Sequence, residues 1–186
     1  MPNIIFVNGP PGSGKDTVAN YFFTTRGYEQ LKFAEPIREA VTRHFGIADV
    51  DIEAWKRQDI GNGKIGRDFM IAYSECMIKP INGIDWFGVN AAKSIKVEGV
   101  DNYVISDAGF GYEVEACINT LRRYAEEDPA FPRYTYQLIH IHRQGHSFKG
   151  DSRGWIEPEG LAPIKVVNDG TIEDLFRDLD YIFRRA

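Results

Sequence analysis

The chain opens with four apolar residues in a row, Ile4-Ile5-Phe6-Val7, closed by Asn8 and then by Gly9-Pro-Pro-Gly12. A run that short and unbroken predicts a strand covered on both faces, the pattern of a central strand in a parallel sheet. From Lys15 the period changes: Val18, Ala19, Phe22 and Phe23 recur at helical spacing until Gly27 stops them. A short strand over 28–32 follows, then a helix from Pro36, a residue suited to a first helical turn, to the position before Gly46. The stretch 47–66 is polar, rich in Asp, Gly and Lys, and supports no more than a short helix over 52–58. Two helices are predicted over 67–78 and 86–97, packed together and joined through 79–84, where Pro80 and Gly83 mark a connection.

The second half repeats the alternation. Residues 103–106 read as a central strand ending at Asp107, 112–125 as a helix, and 136–142 as a strand carrying His140 and His142. Residues 143–160 hold no sustained period, and that length of irregular chain in a compact domain predicts a mobile functional loop. A strand over 164–167, the turn Asn168-Asp169-Gly170 and a helix over 171–184 with Leu175, Phe176, Leu179 and Ile182 on one face complete the pattern. Strands alternating with helices predict an α/β domain with a mostly parallel sheet covered on both faces and ligands at the strand carboxyl ends. There the loop after Asn8, Asp107 and the loop after His142 would gather.

Composition narrows the classes. The 186 residues leave room for a single domain, 1–186, and no second one. With 22 Lys+Arg against 27 Asp+Glu, the formal charge of -5 argues against broad capture of nucleic acid polymers or an anionic membrane. The opening segment lacks the basic start and long apolar stretch of a secretion signal, so a cytoplasmic location is expected. Cys76 and Cys117 stand far apart without metal-ligand spacing and are expected to be reduced, partly buried thiols.

The chemistry concentrates in Gly9-Pro-Pro-Gly-Ser-Gly-Lys-Asp-Thr17, a G-x-x-x-x-G-K phosphate loop (P-loop) with a strand before it and a helix after it. Gly12 and Gly14 permit backbone conformations closed to other residues, so the amides around Ser13 can converge on phosphates at a helix N-terminus. Lys15 adds a charge that can follow the β and γ oxygens. Where a hydroxyl usually follows the Lys, this chain has Asp16, a hard oxygen donor able to meet Mg²⁺ directly or through water; it equally suits the first turn of a helix. Thr17 is then placed for the α-phosphate. Asp107 is the second candidate metal or acceptor carboxylate, whereas Glu113 carries less weight because surface helices are rich in Glu.

The loop resembles that of the adenylate-kinase-like nucleoside monophosphate kinases. Ser-Gly-Lys-Asp-Thr17, Phe33-Ala-Glu-Pro-Ile-Arg-Glu-Ala40, Ile105-Ser-Asp107 and Val167-Asn-Asp-Gly-Thr-Ile-Glu-Asp-Leu175 are similar in order and spacing to phage deoxynucleoside monophosphate kinases. The resemblance implies a three-layer P-loop fold with a helical acceptor-binding region over about 34–100 and a lid over about 143–160. It implies transfer of phosphate from ATP, with Mg²⁺, to a deoxynucleoside monophosphate, in host cytoplasm if the chain is phage-encoded. Lys15, Asp107 and Arg153 would be catalytic, and Arg143 would join the ATP site. Arg38 and Arg67 would grip the acceptor between the walls of Phe33 and Ile37; guanidinium suits this because it pairs two phosphate oxygens at once. His146 is a weaker lid candidate, and Asn168-Asp169-Gly170 matches a turn near the base but is explained equally by a helix cap. Family members tend to carry Asp-x-Arg after the central strand, where this chain has Asp107-Ala108-Gly109, so one basic contact is missing. A kinase of another metabolite, such as a dephospho-coenzyme A kinase relative, and an ATP-binding regulatory module stay open, as do base and sugar preference and a homodimer.

Overall fold

A computed structural model describes residues 1–98 and 100–184. The opening apolar run is strand β1 (Asn3–Asn8), and the phosphate loop leads into α1 (Lys15–Arg26), stopped by Gly27 at φ 68°. Strand β2 (Glu29–Leu31) and α2 (Glu35–Phe45) follow, α2 ending on the left-handed Gly46. A single 3-10 turn (Asp49–Asp51) and the short α3 (Ile52–Trp55) lead to a hairpin of β3 (Asp59–Gly61) and β4 (Lys64–Ile65). After α4 (Gly66–Tyr73) the chain continues as a π-helical turn (Ser74–Ile78) into α5 (Lys79–Asn82) and then α6 (Trp86–Glu98). The remainder is β5 (Asn102–Ile105), α7 (Gly111–Glu127), β6 (Thr135–His142), β7 (Pro163–Val167) and α8 (Ile172–Phe183).

Five strands form one parallel sheet in the order β2-β5-β1-β6-β7, with β1 at its centre. Because successive side chains of a strand face opposite ways, β1 feeds two cores. Ile4 and Phe6 join Ile37, Val41, Ile95, Val114 and Leu121 on one face, while Ile5 and Val7 join Val18, Phe22, Leu175 and Leu179 on the other. The three-layer α/β/α arrangement expected from the sequence is therefore present, and all five strands of that sheet deliver their carboxyl ends to one edge.

Four local expectations change. Phe23 is 48% exposed, so α1 buries Val18, Ala19, Tyr21 and Phe22 and leaves Phe23 outside. The polar stretch 47–66 contains the β3–β4 hairpin, turned by Gly61, Asn62 and Gly63, all at positive φ. The connection at 79–84 is helical over α5 because Pro80 lies in a first turn, where its missing N–H costs nothing. Helix α6 runs chiefly against α7, not α4, which leans on α2. That approach is close: a Cβ on Gly88 of α6 would lie 2.0 Å from the carbonyl oxygen of Glu113 in α7. Among the described residues no helix is long and apolar enough to cross a membrane.

Candidate active site

At the end of β1 the loop takes the shape its glycines allow. Gly12 (φ 75°) and Gly14 (φ 104°) are left-handed, Ser13 N–H donates to the Pro10 carbonyl at 3.2 Å, and Val18 N–H donates to the Gly14 carbonyl at 3.0 Å. The space is tight. A Cβ on Gly14 would fall 2.3 Å from Asn168 Nδ2, which itself donates to the Ser13 carbonyl at 2.7 Å, and one on Gly12 would fall 2.7 Å from His146 Cε1. Lys15 Nζ rests on the carbonyls of Gly9 (2.8 Å) and Pro10 (2.9 Å). Burial, and then the nearby Arg153 charge, push its pKa down to about 8. An ammonium parked on two neutral carbonyls is poised to exchange them for phosphate oxygens.

Asp16 opens α1 with its side chain largely in solvent. It accepts from Ser106 Oγ at 2.9 Å and pairs with Lys32 Nζ at 3.3 Å. Partial burial would raise its pKa, but Lys32 and the Ser106 hydroxyl outweigh that and hold it below the ordinary carboxylate value. Asp107 is engaged differently: Oδ1 accepts from Phe33 N–H (2.8 Å) and Oδ2 from Ala34 N–H (3.0 Å), so it fastens the β5 end to the segment entering α2. No group of three or more His, Cys, Asp or Glu able to hold a metal occurs among the described residues. A Mg²⁺ ion here would lean on one carboxylate, with Asp16 the freer of the two, and take its other ligands from phosphates and water, which is its common habit in nucleotide sites.

Beside Asp107 lies a cleft of about 190 Å³. Phe33, Ile37, Met70, Phe87 and Phe110 supply its apolar wall, and Lys56, Arg67, Lys79, Arg153, Glu75, Asp107 and Glu113 its charged groups. Arg38 is not among them: it is 7% exposed in α2, with Nη1 on Glu53 Oε1 at 3.1 Å, so the structure separates it from the cleft that Arg67 lines. Arg153 is held by Asp151 through Nε (2.9 Å) and Nη2 (2.6 Å), and Arg67 Nη2 reaches the same carboxylate at 3.0 Å. The Arg153 stem crosses Gly109, where a Cβ would meet Cδ at 2.4 Å. The absence of a side chain after Asp107-Ala108 thus leaves room for a guanidinium arriving from the 143–160 segment. Lys79 is bonded to Glu75 and to the Tyr112 hydroxyl (3.3 Å).

Glu113 gains importance. At 5% exposure it sits in the first turn of α7, and burial, reinforced by the Asp107 charge, raises its pKa to about 8. Its neighbour Tyr112 offers no hydrophobic period that would have flagged the position, and only the tertiary fold turns it inward. Residues 143–150 form an exposed tip over the phosphate loop, with Arg143 Nη1 on the Gly12 carbonyl (3.2 Å) and His146 Nδ1 against the Pro11 carbonyl (2.8 Å). The following stretch is anchored rather than free: Ile156 is buried, and Trp155 stacks on His142 at 4.2 Å between ring centres. His140 Nε2 meets the Ile156 carbonyl at 2.9 Å, and Asn8 Nδ2 donates to the Ala108 (2.8 Å) and Gly154 (3.0 Å) carbonyls, tying this segment to the sheet. Cys117 is buried in α7 and Cys76 is exposed.

Neither a protein-family model nor a curated protein matches the sequence. Solved structures match nearly end to end. A Chloroflexus aurantiacus protein assigned as a kinase aligns with a TM-score of 0.51 at 16% identity, over 99% of this chain and 97% of that one. A sugar kinase from a Janibacter species gives 0.48 at 14% identity over 97% and 94% of the two chains. The APS kinase of Mycobacterium tuberculosis in complex with AMPPNP and APS gives 0.49 at 9% identity over 98% of each. The first of these carries the fold, a three-layer α/β/α arrangement around a parallel five-stranded sheet.

Proposed function

We propose that this chain transfers the terminal phosphoryl group of ATP to a nucleoside or deoxynucleoside monophosphate, giving the diphosphate. The observation that carries it is Arg153, which lines the aromatic-walled cleft and lies close enough to Lys15 to depress its pKa. Donor phosphates over the loop and an acceptor in the cleft would therefore meet across one guanidinium.

In this scheme the amides of Gly12, Ser13 and Gly14, with Lys15 and Thr17, hold the triphosphate, and Arg143 covers it. Mg²⁺ bound with ATP would supply charge neutralisation between the outer phosphates, with Asp16 the side chain that holds it. Asp107 fixes Phe33 and Ala34 at the acceptor wall, a positioning role that its two amide bonds favour over direct metal ligation. Phe33, Ile37, Phe87 and Phe110 enclose a flat ring, while Arg67 and Arg153 take the acceptor phosphate in place of Asp151. Residues 34–100 then form the acceptor-binding region and 143–160 the lid. Catalysis comes from alignment and charge stabilisation, and closure of the tip keeps water from competing as acceptor.

A coupled ADP-release assay with a panel of ribo- and deoxynucleoside monophosphates tests this. ATP consumption that no monophosphate stimulates would overturn it. The carboxylates of Glu75 and Asp107 at the cleft favour a second reading, a hydroxyl acceptor, since a carboxylate can take the proton that a hydroxyl must lose and a phosphate need not. Small alcohols and sugars added to the same panel decide between them.

A further inference from the structure

A buried carboxyl normally comes with partners, because leaving its hydrogen bonds unmade costs free energy. Glu113 lines the cleft at 5% exposure, and its carboxyl, which makes no hydrogen bond or ion pair with any described residue, is not among the fully enclosed unpaired atoms and so opens on the cleft. Its origin is fixed, since the Gly88 backbone of α6 presses against the Glu113 carbonyl and leaves no space for even a methyl group. The charged groups facing it are Asp107 from the β5 end, Glu75 and Lys79 from the turns before α6, and Arg153 from the lid. Both cations are already taken, Lys79 by Glu75 and Arg153 by Asp151. Two acids and burial outweigh them, so the group holds its proton up to about pH 8. A neutral carboxyl presents one O–H donor and one carbonyl acceptor side by side.

We propose that Glu113 is the acceptor-recognising residue of the cleft, its carboxyl pairing with a neighbouring donor and acceptor on the edge of a nucleobase held among Phe33, Phe87 and Phe110. This rests on the nucleoside monophosphate acceptor proposed above. The acceptor phosphate belongs elsewhere, because Asp107 and Glu75 repel an anion while Arg67 and Arg153 attract it. An amide- or amidine-edged ring satisfies the carboxyl at the point where the protein leaves it unmatched.

The test compares Glu113→Gln, which keeps a donor and an acceptor, with Glu113→Leu, which keeps neither. Calorimetry at pH 7 reads binding of the monophosphates that stimulate the wild type and of deoxyribose 5-phosphate, which has the phosphate but no base. E113L is expected to weaken the monophosphates by about tenfold or more and leave deoxyribose 5-phosphate unchanged, with E113Q within about threefold of wild type. E113L should also melt no lower than wild type, since it puts an apolar side chain where the carboxyl has no protein partner to lose. Wild-type affinity in E113L, or equal weakening of both ligands with a lower melting temperature, would overturn the assignment and leave the kinase proposal standing. A wild type that no monophosphate stimulates overturns both.

Discussion

Lys15 and Asp151 carry opposite charges in opposite predicaments. Lys15 is depressed to about 8 because burial, and then Arg153, oppose its charge more than the carboxylates of Asp16, Asp107 and Asp151 support it, and its hydrogen bonds go to two neutral carbonyls. A polyphosphate would supply charged oxygens in their place, so Lys15→Ala is expected to slow acceptor-stimulated ADP release by at least about tenfold, the loss of one charged contact in the transition state. A rate near wild type would remove Lys15 from the chemistry. Asp151 is held well below the usual carboxylate range, first by its hydrogen bonds to Arg153, which outweigh the effect of burial. A carboxyl with a lowered folded pKa stabilises the protein above its ordinary value near 4 and loses that contribution as pH falls toward the lowered one. Asp151→Asn should therefore cost about 1 kcal/mol at pH 7, a gap in urea midpoint that narrows below about pH 4. Equal midpoints at pH 7 would show that the bridge to Arg153 and Arg67 contributes nothing.

Gly109 and the Arg153 stem are packed against each other. Gly109→Ala would place a methyl group against the Arg153 stem, and because that stem can move, the fold should survive while the guanidinium shifts. The expected result is a turnover number lowered by about tenfold with ATP affinity retained, read from steady-state kinetics beside calorimetry. Elements with an apolar period and a glycine stop, such as β1, α1, α2 and α8, were legible in the sequence because burial writes that period. The β3–β4 hairpin was not, since all its strand residues are exposed and leave only the Gly61-Asn62-Gly63 turn as a sign. The phosphate loop could be read because its residues are consecutive. Of the cleft, Phe33, Ile37, Arg67, Asp107 and Arg153 were named by resemblance or by position at a strand end, while Glu113 and Gly109 join them only through the sheet order, and Arg38, named with them, is bonded to Glu53.

For the molecule as a whole, the sheet separates a core that serves stability, between α1 and α8, from one whose edge opens into the cleft. Glu113 links that edge to global stability. Its pKa is raised from 4.5 to about 8 in the folded state, so the folded form holds a proton that the unfolded form releases. Stability from this group is complete below about pH 4.5 and is lost as pH rises through about 8. The melting temperature of E113Q minus that of wild type should accordingly widen between pH 5 and pH 8; a constant difference would place the carboxyl in water. The stack of Trp155 on His142 has a use of its own. Trp55 is buried in the core and Trp86 packs against it, whereas Trp155 is 42% exposed at the root of the segment over the phosphate loop. A fluorophore thus lies on an imidazole whose protonation burial defers to lower pH, and because the imidazolium quenches indole the protein's own emission should dim on acidification as that ring takes up its proton.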